Sequence, residues 1–340
     1  MFAQKRRFAA LAAASAVLLL AACGGSGGDA SSGSSSAKAA VSLANAWGAA
    51  EIPADPKRVA VVSGGDRSIA YALGIVPVIE ADYPASTSAP YTVEARKGLG
   101  ITEPKLYNAT DGTDFAAVAA AEPDVILGMQ SYSMDEDYAQ LAKIAPVITF
   151  SEKSQINDMT WQDRILRAGE GLGIKDKAQA VIDANKKAAT DAAAANPDFK
   201  GKTYTYLIMH PEQITYASDG SAAPSPVDDL GLVKPANAAK FSSAKSAVSL
   251  ENLDLVDADV VLIAYPFGDE GLMTQKELES NPLWQKIPAV AKGHWAILDS
   301  ESGLASDLAY PDALSYPWVI EQVTPAIVKA LAGKGGGSSS

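Results

Sequence analysis

Residues 176–196, DKAQAVIDANKKAATDAAAAN, decide the fold. Good helix formers fill the run, and neither Gly nor Pro interrupts it before Pro197. Ala178, Val181, Ile182, Ala188, Ala189, Ala192 and Ala195 recur at three- and four-residue spacing, a narrow apolar stripe on a polar rod. Asp176 reads as the N-cap with Gln179 three residues on, and Pro197 forbids continuation. At about 1.5 Å per residue the rod is roughly 30 Å long, about the width of a small domain. Strand and helix signals alternate on both sides. The expected fold is therefore α/β: two Rossmann-like α/β lobes bridged by one long α-helix, with a cleft between them.

On the N-terminal side, 58–63 (RVAVVS) is a short apolar strand running into Gly64-Gly65-Asp66. A helix over 67–73 ends at Gly74, and Val76-Pro77-Val78-Ile79 starts the next strand, which completes a βαβ unit. A Gly turn at a helix N-terminus is an anion-friendly corner. Gly65, Asp66 and Arg67 stand there either as ligand-facing residues or as parts of a plain tight turn. No GxGxxG follows, and no Lys-Ser/Thr pair closes a phosphate loop. Residues 82–108 read as an irregular loop carrying Tyr83, Tyr91, Arg96 and Tyr107. After a helix over 115–121, the strand 123–128 delivers Met129-Gln130-Ser131-Tyr132 to a carboxyl end, where open α/β sheets meet ligands. A helix over 134–144 and a strand over 146–150 close the lobe.

On the other side, 203–209 (TYTYLIM) and 214–218 flank His210 to Gln213 as a hairpin. A loop over 219–224 leads to a helix near 227–230, and a helical turn over 249–253 precedes the strand 259–264. That strand ends in Tyr265-Pro266-Phe267-Gly268. A helix starts at Asn281-Pro282-Leu283-Trp284, 294–298 is the last buried strand, and 316–331 is the closing helix. The expected boundaries are a signal at 1–22, a tether at 23–44, the first lobe at 45–157, connecting helices at 158–197, the second lobe at 198–332 and a flexible tail at 333–340.

The chain of 340 residues is 48% hydrophobic and 20% charged, a composition of soluble globular proteins with room for two lobes. A formal charge of −12 supplies no basic stripe to release phosphate counterions, which argues against nucleic acid. Lys5, Arg6 and Arg7 precede an apolar run over 9–20 that is too short to span a bilayer. Leu20-Ala21-Ala22-Cys23 resembles a bacterial lipobox, which implies cleavage before Cys23 and lipid on its sulfur. Two or more acyl chains there would hold the protein stably at the membrane. Residues 24–40 (GGSGGDASSGSSSAKAA) read as a random-coil tether.

Several stretches, in order, resemble the ABC-transporter solute-binding proteins for ferric siderophores, haem and cobalamin, the type with a helical backbone between lobes. They are Pro123-Asp124-Val125-Ile126-Leu127, Leu141-Ala142-Lys143-Ile144-Ala145-Pro146 and Val248-Ser249-Leu250-Glu251. The most specific is Pro282-Leu283-Trp284-Gln285-Lys286-Ile287-Pro288-Ala289-Val290, with Gly293 and Leu298-Asp299-Ser300 beyond. The resemblance implies a lipid-anchored importer component that captures a ferric siderophore in a shallow ligand cleft and hands it to a membrane permease and its ATPase. It implies a monomer, no cofactor and no covalent chemistry. In that family an acidic residue on each lobe grips the permease. The second-lobe match is Glu251; the first-lobe position falls at Ala116, which leaves Asp114 nearby.

The ligand set expected from loops after strands is Asp66, Arg67, Arg96, Gln130 and Tyr132 in the first lobe. In the second it is Tyr216, Ser221, Tyr265, Phe267, Ser302 and Tyr310. The folded part has five arginines but many tyrosines, which favours a hydroxamate or mixed chelate over a tri-anionic catecholate. Haem or cobalamin carriage is the alternative within the family. The two histidines, His210 and His294, read as structural residues, and they are too few and too far apart for a zinc or manganese site. A surface serine hydrolase of penicillin-binding type is the remote alternative, on Ser242-Ser243-Ala244-Lys245 and Ser218-Asp219-Gly220. The order of these elements is wrong for that chemistry, and no Lys-Thr-Gly follows.

Overall fold

The computed structural model describes residues 40–209, 214–217, 225–242, 244–249, 251–265, 275–299 and 302–336. The signal sequence, Cys23 and the tether lie outside them. A hairpin of β1 (Val41–Asn45) and β2 (Gly48–Ile52) comes first, in antiparallel register with Val41 opposite Ile52. Its alternation turns Leu43, Ala50 and Ile52 into the core. The tether expected to run to residue 44 thus ends before Val41: small Ala and Ser residues gave those positions a weak strand signal.

The first sheet contains β3 (Val59–Val61), β4 (Ile79–Asp82), β5 (Leu106–Asn108), β6 (Val125–Leu127) and β7 (Val147–Ile148). All its pairings are parallel, in the order β5-β4-β3-β6-β7. The second contains β8 (Tyr204–Met209), β9 (Ile214–Tyr216), β10 (Ala247–Val248), β11 (Val260–Tyr265) and β12 (Trp295–Asp299). Its order is β10-β9-β8-β11-β12, the same plan, except that β9 pairs antiparallel with both neighbours. Only four residues separate β8 from β9, and two strands so close in sequence cannot pair parallel.

The bridging helix spans Lys175–Ala195 without a break. Its N-cap lies two residues earlier than its sequence suggests: Ile174 is the N-cap and Asp176 lies in the first turn, where its charge favours the positive end of the helix dipole. It packs on the helix Trp161–Gly171 on one side and on Ser315–Leu331 and Pro226–Asp229 on the other. Gly169 makes the first contact possible, since a Cβ there would lie 2.6 Å from the Cβ of Ala178. Ala178, Ile182, Asn185 and Ala189 are its buried residues. Asn185 was absent from the apolar stripe, yet its Nδ2 donates to the Ala313 carbonyl at 2.8 Å. Ala195 is exposed instead.

The helix is more than a spacer. A single apolar core runs from Val61 and Leu127 of the first sheet through Ile165 and Ile182 to Tyr204, Leu262 and Val323 around the second. Two further cores fill the outer faces of the sheets. The seam between lobes is also crossed by rings: Trp161 meets Tyr316 at 5.2 Å and Tyr91 meets Trp318 at 5.4 Å.

Two other expectations are corrected. Residues 82–108 are not one irregular loop but hold the helices Pro84–Thr87 and Pro90–Gly98 as well as β5. Each proline occupies the first helical position, where the missing N–H costs nothing. The C-terminal tail is likewise docked as far as Gly336. Gly335 N donates to Gly293 O at 2.8 Å and Gly336 N to Trp295 O at 3.2 Å, which covers the free edge of β12. A Cβ on Gly335 would sit 1.8 Å from Trp295 O, so only glycine fits. Gly335→Val is expected to lift this segment and cost about 1 kcal/mol, measured by urea unfolding. Unchanged stability would mean that the segment contributes nothing.

Candidate functional site

In both sheets the chain reverses its winding direction beside the first strand: between β3 and β6 in one, and between β8 and β11 in the other. Open α/β sheets form their crevice outside the carboxyl ends of such a strand pair. In the first lobe those ends are Ser63-Gly64-Gly65 and Gly128-Met129-Gln130. In the second, β8 and β11 run into 210–213 and 266–274, which lie outside the described residues.

The helix after β3 begins at Gly64, three residues earlier than expected, because Ser63 caps it. Ser63 Oγ accepts from Asp66 N at 3.1 Å and donates to Asp66 Oδ2 at 2.6 Å. Met129 N donates to Asp66 Oδ1 at 2.9 Å, so the carboxyl ties the two loops of the crevice together. Burial pushes the Asp66 carboxyl above its ordinary range, against the hydrogen bonds from Ser63 and Met129. Gln130 lies directly over Gly65: a Cβ on that glycine would fall 1.6 Å from Gln130 Oε1.

Asp66, Arg67 and Arg96, expected to face ligand, belong to the scaffold instead. Asp66 is fully buried, and Arg67 is only 1% exposed. Arg67 Nε donates to Glu80 Oε2 at 2.9 Å, and its other nitrogens meet Ser86 Oγ and the Ala81 carbonyl. From the other side Arg96 Nη2 reaches the same Glu80 oxygen at 3.3 Å. Tyr71 OH donates to Glu80 Oε1 at 2.6 Å and accepts from Arg96 Nε at 3.0 Å. Burial and the Glu80 carboxylate push the Tyr71 hydroxyl up to about 12, which keeps it a proton donor. One carboxylate thus locks the helices Gly64–Ala72 and Pro90–Gly98 onto β4.

What remains open at the carboxyl ends is aromatic. Tyr83 follows β4 and is partly exposed; Tyr132 follows β6 and is 71% exposed. The Tyr132 loop is held from below, since Ser133 Oγ and Thr113 Oγ1 both donate to Asp137 Oδ2, at 2.6 and 2.7 Å. On the second lobe Tyr310 is 73% exposed at the end of the helix Leu304–Ala309. That helix also carries Asp307, whose charge acts on Tyr91 of the first lobe. Just before it, Ser302 Oγ donates to Asp299 O at 3.0 Å and accepts from Leu304 N. Tyr216 is corrected to a core residue: it is 1% exposed and stacks on Phe241 at 4.2 Å. Tyr265 ends β11, whereas Ser221 and Phe267 lie outside the described residues.

Asp114 and Glu251 are both exposed. Asp114 caps the helix Phe115–Ala120 by accepting from Ala117 N at 2.9 Å. His294 stands just before β12, at the amino end of that strand and away from the carboxyl-end crevice. Ser242 and Lys245 face one another across a tight turn, Lys245 N donating to Ser242 O at 2.8 Å. The described residues contain no group of three or more His, Cys, Asp or Glu able to hold a metal ion.

These features, paired switch-point sheets joined by one unbroken helix with aromatics at the strand ends, define a solute-binding protein. Residues 59–302 match the periplasmic binding protein family, and the chain belongs to it. The Fe(3+)-citrate-binding protein YfmC of Bacillus subtilis (strain 168) is 25% identical over 246 residues, 72% of this chain and 74% of that one. The probable siderophore-binding lipoprotein YfiY of the same organism is 28% identical over 258 residues, covering 72% and 75%. Among solved structures, Streptococcus pneumoniae TIGR4 PiaA in complex with ferrichrome aligns with a TM-score of 0.69 at 28% identity, covering 86% of this chain and 99% of that one. Family and fold are those of binding proteins rather than enzymes.

The burial of Arg164 escaped the sequence reading. This residue sits on the helix Trp161–Gly171 in the field of Asp66 and Tyr132. An arginine inside an amphipathic helix carries no local mark that separates a buried guanidinium from a solvated one.

Proposed function

We propose that the protein is the extracytoplasmic receptor of an ABC importer and captures a ferric siderophore, a hydroxamate or mixed chelate, between its lobes. The observation that carries this reading is the switch-point crevice of the first sheet with Gln130 over Gly65 and Tyr132 standing free beside it. Relatives named for ferric citrate, siderophore and ferrichrome binding support the cargo class. Gln130, Tyr132, Ser302 and Tyr310 line the site, with Tyr265 and the loop residues Ser221 and Phe267 completing it. Iron stays in its chelator, so the protein supplies aromatic faces and hydrogen bonds rather than metal ligands. Asp114 and Glu251 would grip the permease, which couples to its ATPase, and lipid on Cys23 would hold the receptor, as a monomer, at the outer face of the membrane. No helix among the described residues is long and apolar enough to cross a membrane.

Intrinsic-fluorescence titration tests the cargo. Ferric hydroxamate or ferric citrate should quench saturably, and haemin and cobalamin should not. Saturation by haemin or cobalamin alone would overturn the reading. Replacing both Tyr132 and Tyr310 by Ala is expected to weaken iron-chelate binding by about tenfold or more, since each removes a large exposed ring at low ordering cost. Unchanged affinity would remove both from the site.

A further inference from the structure

Asp137 lies in the first turn of the helix Met134–Ile144 and is 8% exposed. Its partners are hydroxyls. Oδ2 accepts from Ser133 Oγ at 2.6 Å and from Thr113 Oγ1 at 2.7 Å, and Ser131 Oγ bonds with Ser133 Oγ at 3.1 Å. Ser133 is the N-cap of the helix, a place where serine ordinarily accepts a backbone N–H. Here its side chain makes no such bond and gives its hydroxyl to Asp137 instead. The helix forgoes a cap, and the loop before it is tied to a carboxylate.

The two loops joined at Asp137 come from strands that are not neighbours. Thr113 ends the loop after β5, Ser131 to Ser133 belong to the loop after β6, and β4 and β3 lie between. At about 4.8 Å per strand that gap is roughly 14 Å. The loop after β5 starts against β4, where Ala109 N donates to Asp82 O at 3.2 Å, and runs along the carboxyl ends of β4 and β3 to reach Asp137. The loop after β6 is also fixed where it begins: Met129 N donates to Asp66 Oδ1, and Gln130 lies over Gly65. Between buried Ser131 and half-buried Ser133 the Tyr132 ring stands out, 71% exposed. The helix beneath is a firm mount, with Met134 and Leu141 buried and Tyr138 stacked on Trp47 at 4.5 Å.

An exposed ring has few contacts of its own, so its place is set by the backbone that carries it. We propose that Asp137 is a positioning residue for cargo binding: by holding Ser133 and Thr113 on one oxygen, it presents the Tyr132 ring at the crevice already ordered. This inference rests on the reading of Tyr132 as a cargo-facing residue of an iron-chelate receptor. Binding then loses less loop and side-chain freedom, which raises affinity without adding a contact. Hydrogen bonds to a carboxylate are about twice as strong as neutral ones, which suits Asp137 to this task better than an amide or a hydroxyl.

A double-mutant cycle tests the link. Wild type, Asp137→Ala, Tyr132→Ala and the double variant are titrated by fluorescence with ferric citrate and with ferrichrome, well below each melting temperature. With the chelate that saturates wild type, Asp137→Ala is expected to weaken binding about fivefold or more, and Asp137→Asn, which keeps an acceptor oxygen, to weaken it less. In the Tyr132→Ala background Asp137→Ala should change affinity less than about twofold, because the ring it presents is gone. In a Tyr310→Ala background, on the other lobe, the full loss should return. An equal loss in all three backgrounds would make Asp137 a general support and overturn the proposal, as would unchanged affinity in Asp137→Ala. Should Asp137→Ala fail to fold, Ser133→Ala and Thr113→Ala each remove one donor, keep the carboxylate, and carry the same cycle against Tyr132→Ala. Chelate binding left intact by Tyr132→Ala overturns the proposal while the receptor reading stands. A wild type that binds no iron chelate overturns both.

Discussion

Glu80→Ala is expected to destabilise the protein by about 3–5 kcal/mol, the range for removing one partner of a buried ionic network. The substitution strands Arg67, whose side chain is 1% exposed, and Arg96, at 13%, without the carboxylate both share. It also removes the acceptor of the Tyr71 hydroxyl. Two cations held close together in a dry interior then repel with nothing between them. Glu80→Gln keeps a hydrogen-bond acceptor and should cost less, which separates lost charge from lost bonding. Urea unfolding with an unchanged slope measures both. A loss below about 1 kcal/mol for the alanine variant would show that the network does not hold the two helices to β4. The same network explains why substituting Arg67 or Arg96 should lower stability first and ligand affinity only as a consequence.

The second large effect is a dependence on pH at the seam between lobes. Asp307 lies at the interface in the field of Tyr91 and Asp312, and one of its oxygens, Oδ2, is buried without a partner. Burial, reinforced by the Asp312 carboxylate, pushes Asp307 up to about 7, against the influence of Tyr91, which lowers it. Asp312 is fully buried and raised as well, mainly by burial, against bonds from Ser68, Ser315 and Leu314. Arg67 is the cation whose field reaches Tyr91 at this seam. The folded state therefore binds more protons than the unfolded chain between the ordinary carboxyl value and about 7. Stability from Asp307 is complete below the unfolded value and is lost as pH rises through the folded one. Wild type should accordingly be more stable at pH 5 than at pH 8. Asp307→Asn should flatten that slope and gain about 1–3 kcal/mol at pH 8, a discounted fraction of the 1.36 kcal/mol that each pKa unit represents. Urea titrations at both values check this. A wild type that gains stability from pH 5 to 8, or a variant with the wild-type slope, would refute the assignment.

Much of the architecture was legible because the signals that carry it are local. The helix Met134–Ile144 begins and ends where its residues indicate, the strands β6 and β8 fall inside the apolar runs that announce them, and β11 and β12 each extend one residue beyond theirs. Errors clustered where a residue type has two local meanings. Residues 82–108 read as one loop but hold two helices that start at Pro84 and Pro90, and Gly64 and Gly65 read as a turn but form the first turn of a helix capped by Ser63. Candidate site residues fared by a different rule. Tyr132, after a strand, and Tyr310, at the end of a helix, are exposed, whereas Arg67 and Tyr216 are buried and Arg96 is drawn to Glu80.

The sequence alone determined the helix that joins the lobes, the α/β alternation on either side and the family, since helix propensity, apolar period and short motifs act over a few neighbouring residues. Only the tertiary structure decided which charges are scaffold and which are free. Glu80 gathers Arg67 and Arg96 from 13 and 16 residues away, whereas the Nε of Arg164 is buried without a partner. Whether an arginine is neutralised depends on acceptors brought to it through space, and no periodicity along the chain encodes that distance.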